Sequence, residues 1–247
     1  MNFSLLTFDI LDSTNTEGLK LARLGAREGV CVVTRQQTAG RGRYGRMWVS
    51  ERDAGLYFSV VLRPKIKPND LPLITLMAGV AVYETLAEFG INPDIKWVND
   101  VIVNEKKIAG ILAETTETEK GLAVVVGIGI NLKSSSFPPD LVATATSIVD
   151  TAPTIVSRDD LIETLTHHLG DSYDELQSED GPAKIVENWK RRSSYSTGKI
   201  VRAVMVNETI TGMTDGLESN GALRIKRSDG TIAIIQAGDV EQVRAAI

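Results

Sequence analysis

The chain has 247 residues, 43% of them hydrophobic and 24% charged, an ordinary globular composition. A formal net charge of −5 argues against a general nucleic-acid binder, and the single cysteine, Cys31, excludes an intrachain disulfide or a cysteine-based metal cluster and fits a reducing, cytoplasmic setting. The N-terminal stretch lacks a basic segment followed by an apolar run, so no signal peptide is expected, and no run reaches the ~18–20 apolar residues of a membrane span.

In chain order, Thr14 with Glu17 forms a capping-box pattern that opens a helix through Leu19, Ala22 and Ala26 toward Gly29. Residues 30–34 and 56–62 are β-branched or apolar enough for buried strands, separated by a segment dense in Gly and Arg. A long helix is expected over 69–89, capped by Asn69 or Asp70 and ended by Gly90. Four strands follow at 94–97, 101–104, 107–115 and 122–131, with Asn104-Glu105 and residues 118–121 as turns. Ser157 with Asp160 caps a helix to about Leu176, and Pro182 starts another that ends in three basic residues, which suit a helix C-terminus. Beyond Gly198, short β-prone runs (199–206, 209–215, 222–227, 231–236) alternate with Asn207-Glu208, Asn220-Gly221 and Asp229-Gly230, the pattern of hairpins. A small β-barrel at 196–247 behind a larger domain at 1–195 is the expected division.

The Gly/Arg segment, Gly40-Arg41-Gly42-Arg43-Tyr44-Gly45, matches G-x-G-x-x-G literally. A dinucleotide fingerprint must open a helix whose N-terminus faces pyrophosphate, and here the following residues look extended. A phosphate loop of the Walker type fails because no Gly-Lys-Ser/Thr follows. What the segment does offer is three guanidinium forks (Arg41, Arg43, Arg46) on a backbone that can approach a ligand closely, with Trp48 as a flat surface for a purine. A solvated loop with a buried aromatic is the plain alternative.

Four further segments accompany it. Ser13-Thr14-Asn15 reads on its own as a helix cap; Lys96-Trp97-Val98-Asn99-Asp100 as a strand ending in a turn. Lys107-Ile108-Ala109-Gly110-Ile111-Leu112-Ala113-Glu114 and Gly127-Ile128-Gly129-Ile130-Asn131 are strands with interior glycines, which often mark close approach of a ligand. Each alone is ordinary.

Together, in this order over residues 13–132, they resemble the biotin–protein ligases. The resemblance implies an α/β (α+β) fold: a catalytic domain with a mixed sheet flanked by helices, related to class II aminoacyl-tRNA synthetases and lipoate ligases, plus a small SH3-like C-terminal domain. Many relatives carry an N-terminal helix-turn-helix; here the catalytic pattern begins by residue 13, so a ligase-only type that does not bind DNA is expected. By resemblance, Ser13, Thr14, Asn15, Gln37, Gly40, Arg41, Gly42, Arg43, Lys107, Gly110, Leu112 and Gly127 line the biotin pocket. Arg41, Arg43, Arg46, Trp48, Lys107 and Asn131 take ATP and the adenylate, and Arg43, Lys107 and Asp100 assist catalysis. Val98 stands where the family usually has proline, which releases the fixed φ that proline would impose.

The implied chemistry joins biotin and ATP into biotinyl-5′-AMP, with Mg²⁺ carried by the ATP phosphates and with Asp100 as a candidate contact rather than a dedicated metal site. Biotin then passes to a lysine of a biotin carboxyl carrier domain of a carboxylase or decarboxylase. The residues leave the oligomeric state open, although members of the family often form homodimers through the central sheet. The alternatives are a lipoate or octanoate ligase of the same fold, a biotin-binding regulator without turnover, and an RNA-binding module, the last at odds with the acidic balance. His167 and His168 are expected to be structural or solvent-exposed, and Cys31 a small buried hydrophobe.

Overall fold

A computed structural model describes residues 1–205 and 208–242. Its larger part is a seven-stranded mixed sheet in the order β1-β2-β3-β7-β6-β5-β4. Strands β1 (Ser4–Leu11) and β2 (Val30–Gln37) run parallel, joined by helix α1 (Thr14–Arg23). The remaining pairs are antiparallel: β3 (Gly55–Leu62), β4 (Asp94–Lys96), β5 (Asp100–Val103), β6 (Lys106–Thr118) and β7 (Gly121–Asn131).

The two faces of this sheet differ because side chains alternate along each strand. Leu56, Phe58, Val60 and Leu62 of β3, with Val124, Val126, Ile128 and Ile130 of β7, pack under α2 (Leu73–Glu88), α4 (Arg158–Leu176) and α5 (Gly181–Arg192). On the opposite face α1 covers only a patch around Ala22, Val61, Ala123 and Val125, leaving the far ends of β6 and β7 uncovered by helix. A short helix, α3 (Ile148–Thr151), follows the loop after β7. Helix α2 is apolar nearly all round, as expected of a helix enclosed between a sheet and two other helices.

The C-terminal part is a five-stranded antiparallel sheet, consistent with an SH3-like domain. Its order is β11 (Ile232–Ile235), β10 (Leu223–Lys226), β9 (Thr209–Leu217), β8 (Thr197–Val204) and β12 (Asp239–Gln242). Its buried residues Val201, Leu223, Ile225 and Ile235 belong to the same apolar cluster as the helical layer, and Trp97 Nε1 donates to the Gly221 carbonyl at 2.9 Å. The two sheets therefore share one core.

Several expectations need correction. Thr14 is inside α1, not its cap: Ser13 takes the cap position and makes no side-chain capping bond, and the helix ends at Arg23 rather than near Gly29. Helix α2 starts at Leu73, because residues 68–70 form a separate 3₁₀ turn behind Pro68. Strands β1 and β12 are not legible in the sequence; β1 is an edge strand, half-exposed on both faces, so its apolar residues do not alternate. Ser157 does cap α4, accepting from the Asp160 amide at 3.1 Å. Asn207 of the expected Asn207-Glu208 turn lies outside the described residues.

Cys31 is fully buried in β2, and burial pushes its thiol up to about 12. At pH 8 roughly one molecule in ten thousand would carry thiolate, the reactive form. The native chain should therefore resist a disulfide reagent at pH 8 and react stoichiometrically once unfolded in guanidinium; rapid native labelling would contradict this packing.

Candidate active site

The uncovered ends of β6 and β7 form the floor of a cavity of about 550 Å³. Pairing across the two strands sets Gly110 opposite Gly129 and Leu112 opposite Gly127, so the floor is nearly bare of side chains. This bareness has a use at two positions. A Cβ on Gly127 would lie 2.1 Å from Asn15 Oδ1, and one on Gly129 would lie 2.5 Å from Trp48 Cε2. The Trp48 ring thus rests directly on the sheet, with Lys107 Nζ 5.3 Å from its centre and, among the described residues, no hydrogen-bond partner for its own buried Nε1.

One end of the cavity is polar and closed. The Thr14 amide, one of the unpaired donors of a helix N-terminus, donates to Gln37 Oε1 at 2.8 Å, so Gln37 does the capping that sequence reasoning gave to Thr14. Gln37 Nε2 donates in turn to Ser50 Oγ, and Ser50 Oγ donates to the Trp48 carbonyl. Ser59, fully buried, lies 2.6 Å from Asn15 Oδ1 and 2.7 Å from Thr14 Oγ1. Asn15 Nδ2 donates to the Leu112 carbonyl and to Glu114 Oε2.

The Gly/Arg segment forms a narrow excursion over the other side. Its base is pinned by Trp48 N–H to the Gly40 carbonyl and Gly42 N–H to the Arg46 carbonyl, and Tyr44 and Gly45 turn its tip with positive φ. Each arginine reaches a different element. Arg41 pairs with Glu114 of β6 at 2.8 Å, and Arg46 pairs with Asp239 of β12. Arg43 donates to Asn99 Oδ1 and to the Gly238 carbonyl, both at 3.2 Å, and to the Tyr44 hydroxyl at 3.0 Å. From the floor, Lys107 Nζ pairs with Asp100 Oδ1 at 2.6 Å. Among the described residues Arg43 alone of these four cations is in no ion pair; its acceptors are all neutral.

A model of the biotin/lipoate A/B protein ligase family matches residues 7–131, about half the chain. The chain belongs to this family. Residues 197–242 match the biotin protein ligase C-terminal domain. The chain is 36% identical to the bifunctional ligase/repressor BirA of Bacillus subtilis (strain 168), over 98% of this chain and 74% of that protein. It is 32% identical to the biotin–[acetyl-CoA-carboxylase] ligase of Paracoccus denitrificans, over 93% and 96% of the two chains. The structure of the biotin protein ligase from Aquifex aeolicus in complex with biotin and ATP superposes with a TM-score of 0.84 at 28% identity, covering 98% of this chain and 99% of that one.

Of the residues singled out in the sequence of this ligase-family chain, Ser13, Thr14, Asn15, Gln37, Arg41, Gly42, Arg43, Arg46, Trp48, Asp100, Lys107, Gly110, Leu112, Gly127 and Asn131 all line the one cavity. Gly40 does not; it lies behind the loop, on a shallower neighbouring groove. Sequence reasoning missed Ser59, Asn99 as the acceptor for Arg43, Glu114 as a partner, and the contribution of Gly238 and Asp239 from the C-terminal sheet. Ser59 had a signal available, being a lone polar residue inside an apolar strand; the C-terminal pair had none. The peptide bond between Trp97 and Val98 is cis. His168 contacts Glu88 and His167 contacts Asp171, both on the helical side. Among the described residues no helix is long and apolar enough to cross a membrane.

Because Gly129 has no room for a methyl group, Gly129→Ala should lift the Trp48 ring at a cost of about 1–3 kcal/mol in stability. Trp97 and Trp189, the other two tryptophans, are buried away from this floor. A red shift in indole emission with a lowered melting temperature is the expected reading; parental emission would show that Trp48 does not sit on Gly129.

Proposed function

We propose that this chain is an ATP-dependent biotin–protein ligase. One observation carries the reading: arginines from one loop and a lysine from a distant strand border a single cavity whose floor is kept bare. Such an arrangement suits bringing two anions together, a carboxylate and a nucleotide triphosphate, where positioning and charge stabilisation supply most of the catalysis. The C-terminal match to a biotin-type domain, and the biotin–[acetyl-CoA-carboxylase] ligase among the relatives, favour biotin over lipoate as the acid.

In this reading residues 1–195 form the catalytic domain and residues 196–247 the appended one. Ser13, Thr14, Asn15, Gln37, Gly42, Gly110, Leu112 and Gly127 shape the biotin end. Arg41, Arg43, Arg46 and Lys107 meet the carboxylate and phosphates, and Trp48 and Asn131 the adenine. Asn131 Nδ2 donates to the Lys107 and Thr146 carbonyls, which leaves its own carbonyl as an acceptor suited to the adenine amino group. Mg²⁺ would arrive on the ATP phosphates, with Asp100 a candidate protein contact for it.

A biotin carboxylate oxygen attacks the α-phosphorus in line, and the bond to pyrophosphate breaks. The mixed anhydride stays under the loop, shielded from water. An amine of a lysine on the carrier domain of a carboxylase or decarboxylase attacks the acyl carbon, AMP leaves, and the amine proton passes to water. A cytoplasmic setting and a homodimer through the central sheet complete the reading.

The test is incubation with ATP, Mg²⁺, biotin and a biotin carrier domain, followed by mass spectrometry of the carrier. A gain of one biotinyl group, with pyrophosphate release dependent on biotin, is expected; release driven equally by lipoate or octanoate would overturn the assignment. Among the described residues Arg43 donates only to neutral acceptors, so its charge is open to a ligand, and Arg43→Gly should release the adenylate and label bystander lysines on an added protein such as albumin. Parental selectivity in that variant would remove Arg43 from this role.

A further inference from the structure

Glu114 sits on β6 one step beyond the floor glycines, facing the same side of the sheet as Leu112. Its Oε2 receives two donors, Asn15 Nδ2 at 2.8 Å and Arg41 Nη2 at 2.8 Å. These donors come from different structures: Asn15 from the first turn of α1, Arg41 from the excursion that overhangs the cavity.

The Asn15 amide is 3% exposed and fully committed. Its second N–H goes to the Leu112 carbonyl at 3.0 Å and its carbonyl accepts from Ser59 at 2.6 Å. Turning the amide over would set its oxygen against two acceptors, Leu112 O and Glu114 Oε2, so the carboxylate fixes which way it faces. With both N–H groups engaged, Asn15 has no donor left for a ligand; it works by shape, pressed on Gly127. On the other side, the same oxygen ties a half-exposed guanidinium of the loop to the sheet through a charge-assisted hydrogen bond, stronger than a neutral one.

We propose that Glu114 is a positioning residue for the biotin end of the cavity, holding the Arg41 loop segment and the Asn15 amide in one geometry through a shared carboxylate oxygen. This rests on the biotin-ligase reading above. Asp100 holds Lys107 at the other end of the floor, whereas Glu114 fixes Asn15 as well as Arg41, so its loss should weigh more on biotin than on ATP.

Steady-state kinetics of the full chain test it. Glu114→Ala should raise the KM for biotin by about tenfold and leave the KM for ATP within about twofold. Glu114→Gln keeps an oxygen that can accept both donors but loses the charge, and should raise the biotin KM by only about threefold, which also serves if the alanine variant folds poorly. Thermal unfolding monitors integrity. Unchanged biotin KM in both variants, an equal rise for biotin and ATP, or glutamine as damaging as alanine would overturn the positioning role. A parent chain with no biotin-dependent pyrophosphate release would instead overturn the functional reading, and this inference with it.

Discussion

Along the ends of β6 and β7 that line the cavity, Gly110, Gly127 and Gly129 leave the sheet bare beside Leu112. Other groups of the site depend on the space this leaves. Asn15 can lie against Gly127 only because no methyl group is there, and Trp48 can lie flat on Gly129 for the same reason. The opposite face of the same strands is packed with Val and Ile under α2. The alternation of a strand lets one segment serve both purposes, rigid core on one side and ligand floor on the other. The floor inherits its rigidity from the core beneath it.

Over that floor, positive charge is gathered without any excess of it in the chain. Arg41, Arg46 and Lys107 each come with a carboxylate from a different element: Glu114, Asp239 and Asp100. Like charges brought close together repel, so a ligand-free cluster of cations is more stable when its members are individually paired. The net charge of −5 and a basic pocket are therefore compatible. The same pairing fixes the loop, since its arginines bridge to β6, to the turn at Asn99 and to the C-terminal sheet. The C-terminal sheet is tied in through the Gly238–Asp239 contacts, through the Lys199–Glu105 pair and through the Trp97–Gly221 bond in the shared core.

Most elements with strong periodicity or clear punctuation were legible in the sequence. The strands β5, β6 and β7, the turn at Asn104-Glu105 with positive φ at both residues, the Ser157 cap of α4 and the hairpins at Gly221 and Gly230 are where residue chemistry places them. The misses share a cause. Strand β1 pairs along one edge only and shows no alternation; β12 is four residues of mostly polar chain that becomes a strand by pairing with β8. The capping box at Thr14 and Glu17 was a sound local pattern that a long-range partner displaced, because Gln37 satisfies the Thr14 amide from 23 residues away.

For the site, the sequence determined the inventory: which glycines could admit close approach, which side chains carry guanidinium and ammonium groups, and the order of motifs that marks the family. These are local properties, readable residue by residue. Tertiary structure decided the pairings. That Ser59 orients Asn15, that Glu114 receives both Asn15 and Arg41, and that Asp239 meets Arg46 from the far end of the chain depend on strands and loops brought together across 44 to 193 residues. Hydrogen bonds and ion pairs act over a few ångströms in space and are blind to separation along the chain, so only the folded geometry could assign them.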